Sequence, residues 1–112
     1  MERKDYTKKI EECIGTAKQL YSFVTKEQGE GEGDFRIMSI SHSDRKEDTH
    51  FELRINMPDE TFKGAFYIGD EVARFDVKED TTLDKLMDTV MEIIEFYQGH
   101  LGENFNIIWL GD

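Results

Sequence analysis

The sequence has one cysteine, one proline and no apolar run longer than IIWL at positions 107–110. A single cysteine excludes an intrachain disulfide and fits a reducing cytosol, so we expect a cytoplasmic protein. The short apolar runs predict no membrane span, and the N-terminal MERKDYTKKI lacks the apolar core of a secretory signal. Because no segment carries a catalytic or cofactor-binding motif, we predict a non-enzymatic protein without a cofactor.

Basic residues are scarce and unevenly distributed. The chain has 14 Lys and Arg against 25 Asp and Glu, which gives a net charge of −11. Residues 1–26 carry +2, whereas residues 27–112 carry −13. We expect no direct binding to nucleic acid, because phosphate contacts need a basic surface. An acidic surface attracts basic proteins instead, although acidity can also serve solubility alone.

Apolar residues at three- and four-residue steps predict a first helix over residues 4–26. Gly15 inside this helix indicates close packing against a neighbour. Cys13 lies on the apolar face, which favours a core residue over a nucleophile. The predicted core face consists of Tyr6, Ile10, Cys13, Ile14, Ala17, Leu20, Tyr21 and Val24.

The same spacing predicts a longer amphipathic helix over residues 81–101, around which the domain is organised. Thr81 is the expected N-cap, with Asp84 three residues later in the capping-box position. The apolar side chains fall within an arc of about 120°. They are Leu83, Leu86, Met87, Val90, Ile93, Ile94, Tyr97 and Leu101.

Between the two helices, strand-like segments follow a mobile acidic linker at residues 27–34. We predict strands at 35–41, 50–57, 62–68 and 72–77, with a polar loop at 42–49 and a tight turn at Gly69–Asp70. The apolar residues 104–110 predict a short C-terminal strand, buried on both faces or in contact with another chain, as in a homodimer. The prediction is one α+β domain over residues 1–112: a helix, a four-stranded antiparallel meander, the long helix and a final strand (αββββαβ).

The candidate site is an acidic stripe on the second helix. Its carboxylates occupy an arc of about 80°, separate from the apolar arc. Met91 and Phe96 flank this row of charges. Apolar residues in such a position are typical of a protein-binding surface, although Met91 and Phe96 could also widen the core face. Asp76, Glu79 and Asp80 add charge before the helix. The stripe itself consists of Asp84, Asp88, Glu92 and Glu95, flanked by Met91 and Phe96.

Histidines offer the main alternative chemistry. His42, Asp44 and His50 lie around one predicted loop, but two histidines eight residues apart have no recognised metal-ligand spacing. We therefore predict no metal site. A small ligand-binding or enzymatic domain, using the mouth between the sheet and the helices, remains the alternative of a different class.

With its small size, its charge arrangement over Asp76–Glu95 and its αββββαβ pattern, the chain resembles the acidic inhibitors of phages and mobile elements. These include anti-CRISPR proteins and DNA mimics. The resemblance implies a non-catalytic inhibitor whose carboxylates replace phosphates in the basic groove of a nucleic-acid-handling enzyme, such as a CRISPR effector nuclease. The basic first helix departs from this pattern. An immunity or antitoxin-like protein that masks a basic toxin fits the same observations.

Overall fold

The computed structural model describes the backbone of residues 2–29, 31, 33–43, 45–68, 71–76 and 82–111, and the side chains of 2–27, 29, 31, 33–43, 50–66 and 82–111. Within these ranges the elements follow the predicted order, which confirms the α+β class. The predicted turn at Gly69–Asp70 lies outside the described residues. The elements are α1 (Arg3–Gln28), β1 (Gly33–His42), β2 (Arg45–Met57), β3 (Thr61–Ile68), β4 (Glu71–Asp76), α2 (Leu83–Leu101) and β5 (Phe105–Trp109).

The five strands form one antiparallel sheet in the order β4-β3-β2-β1-β5. Strands β1 to β4 are the predicted meander, because each pairs with the next along the chain. After α2, β5 returns to pair with β1 along Met38–His42. No helix in the described ranges is long and apolar enough to cross a membrane.

The hydrophobic core lies between one face of the sheet and the two helices. Strand β2 alternates as predicted, because Phe51, Leu53, Ile55 and Met57 are buried while the residues between them are only partly covered. Such alternation is expected of a sheet with one covered and one open face. The helices complete the core with Tyr6, Ile10, Cys13, Ala17, Leu86, Met87, Val90, Ile93, Ile94 and Tyr97.

Helix α1 corrects two predictions. Leu20 and Val24, predicted to be core, are 43% and 47% exposed, and the neighbouring Phe23 is 72% exposed. Apolar residues recur at helical spacing to the end of α1. The fully buried ones, however, lie only in its first four turns. Among the described residues, no atom beyond the backbone of α1 and the chain neighbours of Gly15 lies within 4 Å of the position that a Cβ would occupy, so no close contact is seen there.

Strand β2 begins earlier than predicted, because it includes residues 45–49 of the expected polar loop. Backbone pairing, which needs no apolar side chains, continues past the last core residue, with Ser41 opposite Thr49 and His42 opposite Arg45. The register shifts between Ile40 and Ser41. The pairing leaves His50 as the extra residue of a bulge, a feature that can redirect a side chain.

Candidate protein-binding surface

The N-cap of helix α2 lies one residue later than predicted, and the helix spans Leu83–Leu101. Its N-cap is Thr82, whose hydroxyl accepts a hydrogen bond from the Lys85 backbone N–H at 3.3 Å. The predicted cap residue Thr81 lies outside the described residues. With Thr82 as the cap, the third helical residue is Lys85, so Asp84 is not the capping-box partner. Asp84 instead lies in the first turn, where its carboxylate complements the positive end of the helix dipole.

The predicted apolar arc of α2 is confirmed. Six of its eight residues are buried, and Leu83 and Leu101 pack against the core while remaining partly exposed. This packing fixes the rotation of the helix about its own axis. The four predicted carboxylates consequently face outward, because they occupy a separate arc of the helix.

Asp84, Asp88, Glu92 and Glu95 are all exposed. Consecutive members at four-residue spacing repel one another and weaken a helix by a few tenths of a kcal/mol. Glu92 and Glu95 form no ion pair within the described residues. We call these four residues the acidic face of α2.

Helix α1 partly neutralises one end of the acidic face. The Arg3 guanidinium is 2.5 Å from Asp88 Oδ1 and also donates to the Asp84 backbone carbonyl at 2.7 Å. Both side chains of the Arg3–Asp88 pair are substantially exposed, at 44% and 66%, so water and salt screen this attraction. Within the described residues Asp88 is the member of the acidic face that has an ion-pair partner, while the carboxylates of Asp84, Glu92 and Glu95 have none.

The two apolar residues beside the acidic face have different environments. Met91 is partly buried and packs against the core, as the alternative interpretation of a wider core face predicts. Phe96 is 44% exposed, and its ring stacks on His100 at a centroid distance of 4.2 Å and meets Tyr97 edge-on at 5.4 Å. Of these two residues, Phe96 is therefore the one whose ring remains substantially exposed.

The side chains of the charges predicted before α2 lie outside the described residues. The Asp76 backbone ends β4 and pairs with Lys63, but its side chain is outside the described set. Glu79 and Asp80 also lie outside the described residues. Helix α2 provides the described part of the candidate surface.

The open face of the sheet carries a second group of acidic residues, which the sequence analysis did not single out. Arg54 donates to Asp34 Oδ2 at 3.1 Å and to Glu52 Oε1 at 2.9 Å. Arg36 lies 3.6 Å from the same Glu52 oxygen. Alternating charges at 34, 36, 52 and 54, read with the strand register, could have indicated this cluster. We call it the sheet-face ion-pair ladder.

The two histidines of the predicted cluster lie near each other, and among the described residues no group of three or more His, Cys, Asp or Glu could hold a metal ion. His42 and His50 have ring centroids 6.3 Å apart, and His50 lies 5.6 Å from Tyr97. The Tyr97 hydroxyl donates to the His50 backbone carbonyl at 2.6 Å. Asp44 lies outside the described residues. These contacts place both histidines in an aromatic cluster at one end of the sheet.

A shallow, open groove of about 560 Å³ follows the first three turns of α1, and Asp84 of α2 also lines it. Arg3, Lys8, Glu11 and Asp84 contribute to its lining, so charges of both signs face it. It lies on the helices and not at the mouth between sheet and helices. The groove therefore gives no direct support to the alternative of a ligand-binding mouth.

Comparison with protein-family models, with known proteins and with solved structures gives no match.

Proposed function

We propose that the protein is a non-catalytic inhibitor that binds a basic protein through the acidic face of α2. The observation that carries this proposal is the contrast in pairing: among the residues that the structure describes, Glu92 and Glu95 are exposed and have no ion-pair partner, while the acids of the sheet-face ladder are paired with arginines. Unpaired charge of one sign steers association with a partner of the opposite sign.

Phe96 supplies the apolar part of the surface. It lies beside the carboxylates and keeps 44% of its surface exposed, while its ring contacts Tyr97 and His100. An ordered aromatic side chain loses little conformational entropy on binding and can fill a pocket of the partner. The surface thus combines charge for attraction with one aromatic anchor.

A nucleic-acid-handling enzyme, such as a CRISPR effector nuclease, is the proposed class of partner, with the carboxylates in place of phosphates. Along α2, from Asp84 to Glu95, one carboxylate occurs per roughly 5–6 Å of helix axis at a rise of about 1.5 Å per residue. One strand of DNA carries a phosphate every 3.4 Å or so. The carboxylates are therefore spaced more widely than the phosphates of a DNA strand. This spacing supports general occupation of a basic groove more than a one-to-one replacement of each phosphate by a carboxylate.

The test begins with capture from a lysate on immobilised wild-type protein and on two variants of equal net charge. In the first variant, Asp88, Glu92 and Glu95 are changed to Lys. In the second, the exposed Glu12, Glu27 and Asp59 are changed to Lys. Asp84 is left unchanged because it complements the dipole of α2.

The proposal expects a basic protein that binds the wild type and the second variant but not the first. It also expects duplex DNA or RNA to displace that protein in competition. If nucleic acid does not displace the captured protein, the immunity or antitoxin alternative is favoured. In that alternative the protein covers a basic toxin at a surface other than a nucleic-acid-binding site. Equal capture by the first variant and the wild type would overturn the proposal.

A further inference from the structure

Strand β5 forms one edge of the sheet, and within the described residues it pairs only with β1. At one end of this pairing the Ser43 N–H donates to the Asn104 carbonyl at 3.1 Å. At the other end the Leu110 N–H donates to the Ile37 carbonyl at 2.8 Å. Bonding toward the partner alternates along an antiparallel strand, so the even-numbered residues of β5 bond to β1. The backbone groups that point away from β1 belong to Phe105, Ile107 and Trp109.

This edge lacks the usual protection against strand pairing. Exposed edges are commonly guarded by charged residues or proline, and the FNIIW of β5 contains neither. The opposite edge strand, EVARFD of β4, has three charged residues among six. Phe105 and Ile107 are also only partly buried, so apolar surface remains beside the free backbone groups.

We propose that β5 pairs antiparallel with β5 of a second copy about a two-fold axis at Ile107, which joins the two sheets into one. In this register Ile107 lies opposite Ile107 of the second copy, and Phe105 lies opposite Trp109. All three residues direct their N–H and C=O groups outward, so the two copies satisfy each other with about six hydrogen bonds. The edge is thus self-complementary, as an isologous dimer interface requires.

The net charge of each copy and the small area of the contact limit the affinity of the dimer. The strand itself carries no charge, and the symmetric register places Glu103 opposite Gly111, not opposite another acid. The two copies nevertheless repel each other, because each carries −11. A pair of five-residue strands also buries less than the roughly 1,200 Å² at the lower limit of standard interfaces. We therefore expect a weak dimer that strengthens as salt screens the repulsion.

Salt should strengthen this dimer, whereas it should weaken the charge-driven binding of a basic partner. The dimer does not depend on the proposed function, so the two can be tested separately. Sedimentation velocity of the purified protein, from low micromolar to millimolar concentration at low and high salt, measures the association directly. Ile107→Pro removes an outward N–H and no bond to β1, whereas Ile107→Val keeps the N–H and serves as the control. The inference expects dimers for the wild type and Ile107→Val, and a folded monomer for Ile107→Pro.

Amide hydrogen exchange of the wild type decides the question even if the proline variant fails to fold. The amides of Phe105, Ile107 and Trp109 should exchange quickly in dilute protein and slow in proportion to the dimer fraction. A protein that stays monomeric at every concentration and salt would overturn the inference. A dimer in which the Ile107 amide exchanges as fast as in the monomer would overturn it equally.

Discussion

The sheet-face ion-pair ladder and the acidic face of α2 use similar residues in opposite ways. On the sheet, Glu52 is bracketed by Arg36 and Arg54, and its side chain is only 17% exposed. On α2, Glu92 and Glu95 are exposed and have no ion-pair partner in the described residues. The net charge of −11 therefore does not identify a surface by itself. The pairing of each carboxylate distinguishes structural charge from charge available to a partner.

The largest effect on stability is expected beneath the acidic face. Leu86→Ala or Ile94→Ala should lower the free energy of unfolding by roughly 2–5 kcal/mol, because each side chain is about 1% exposed and its loss leaves a cavity. Thermal or denaturant unfolding measures this change. An unchanged melting temperature for both variants would show that α2 is rotated differently, and the outward direction of the carboxylates would then be lost.

A smaller effect tests the comparison itself. Glu52→Gln should lower the unfolding free energy by about 1 kcal/mol, because Arg36 and Arg54 lose a shared, half-desolvated carboxylate. Glu92→Gln should change it by less than about 0.5 kcal/mol, with a gain in stability, because it relieves repulsion with Asp88. Chemical denaturation of the two variants side by side makes the measurement. Equal destabilisation would remove the distinction between the two surfaces.

Gly15→Ala leaves both surfaces unaltered and should raise the free energy of unfolding by about 1 kcal/mol. An exposed mid-helix glycine costs helix stability relative to alanine, and open space surrounds this one. The unfolding midpoint should rise while partner binding stays unchanged. A loss of stability would mean that α1 packs against something at Gly15.

Periodicity predicted the elements of this fold well where one face is buried throughout. The eight-residue arc of α2 and the alternation of β2 both followed from the spacing of apolar residues. The same reasoning was wrong at Leu20 and Val24, because spacing defines a helix face but not whether another element reaches it. It also assigned residues 45–49 to a loop, because charged side chains conceal pairing that depends on the backbone.

The candidate site could be predicted only in part for a similar reason. The outward direction of Asp84, Asp88, Glu92 and Glu95 follows from the helical wheel, and the structure confirms it. The contact of Arg3 with Asp88 joins residues 85 positions apart, which no local pattern contains. The pairing of Asp34 with Arg54 likewise depends on strand register.

The most direct test of the central claim is the affinity of the captured basic protein for the two charge-matched variants described above. Replacing Asp88, Glu92 and Glu95 with Lys should weaken binding by roughly 100-fold or more, since each reversed charge adds repulsion at the interface. Replacing Glu12, Glu27 and Asp59 with Lys changes the net charge equally and should leave the affinity within a few-fold of wild type, as expected for screened, distant charges. Equal loss in both variants, or no loss in the first, would contradict a role for the acidic face of α2.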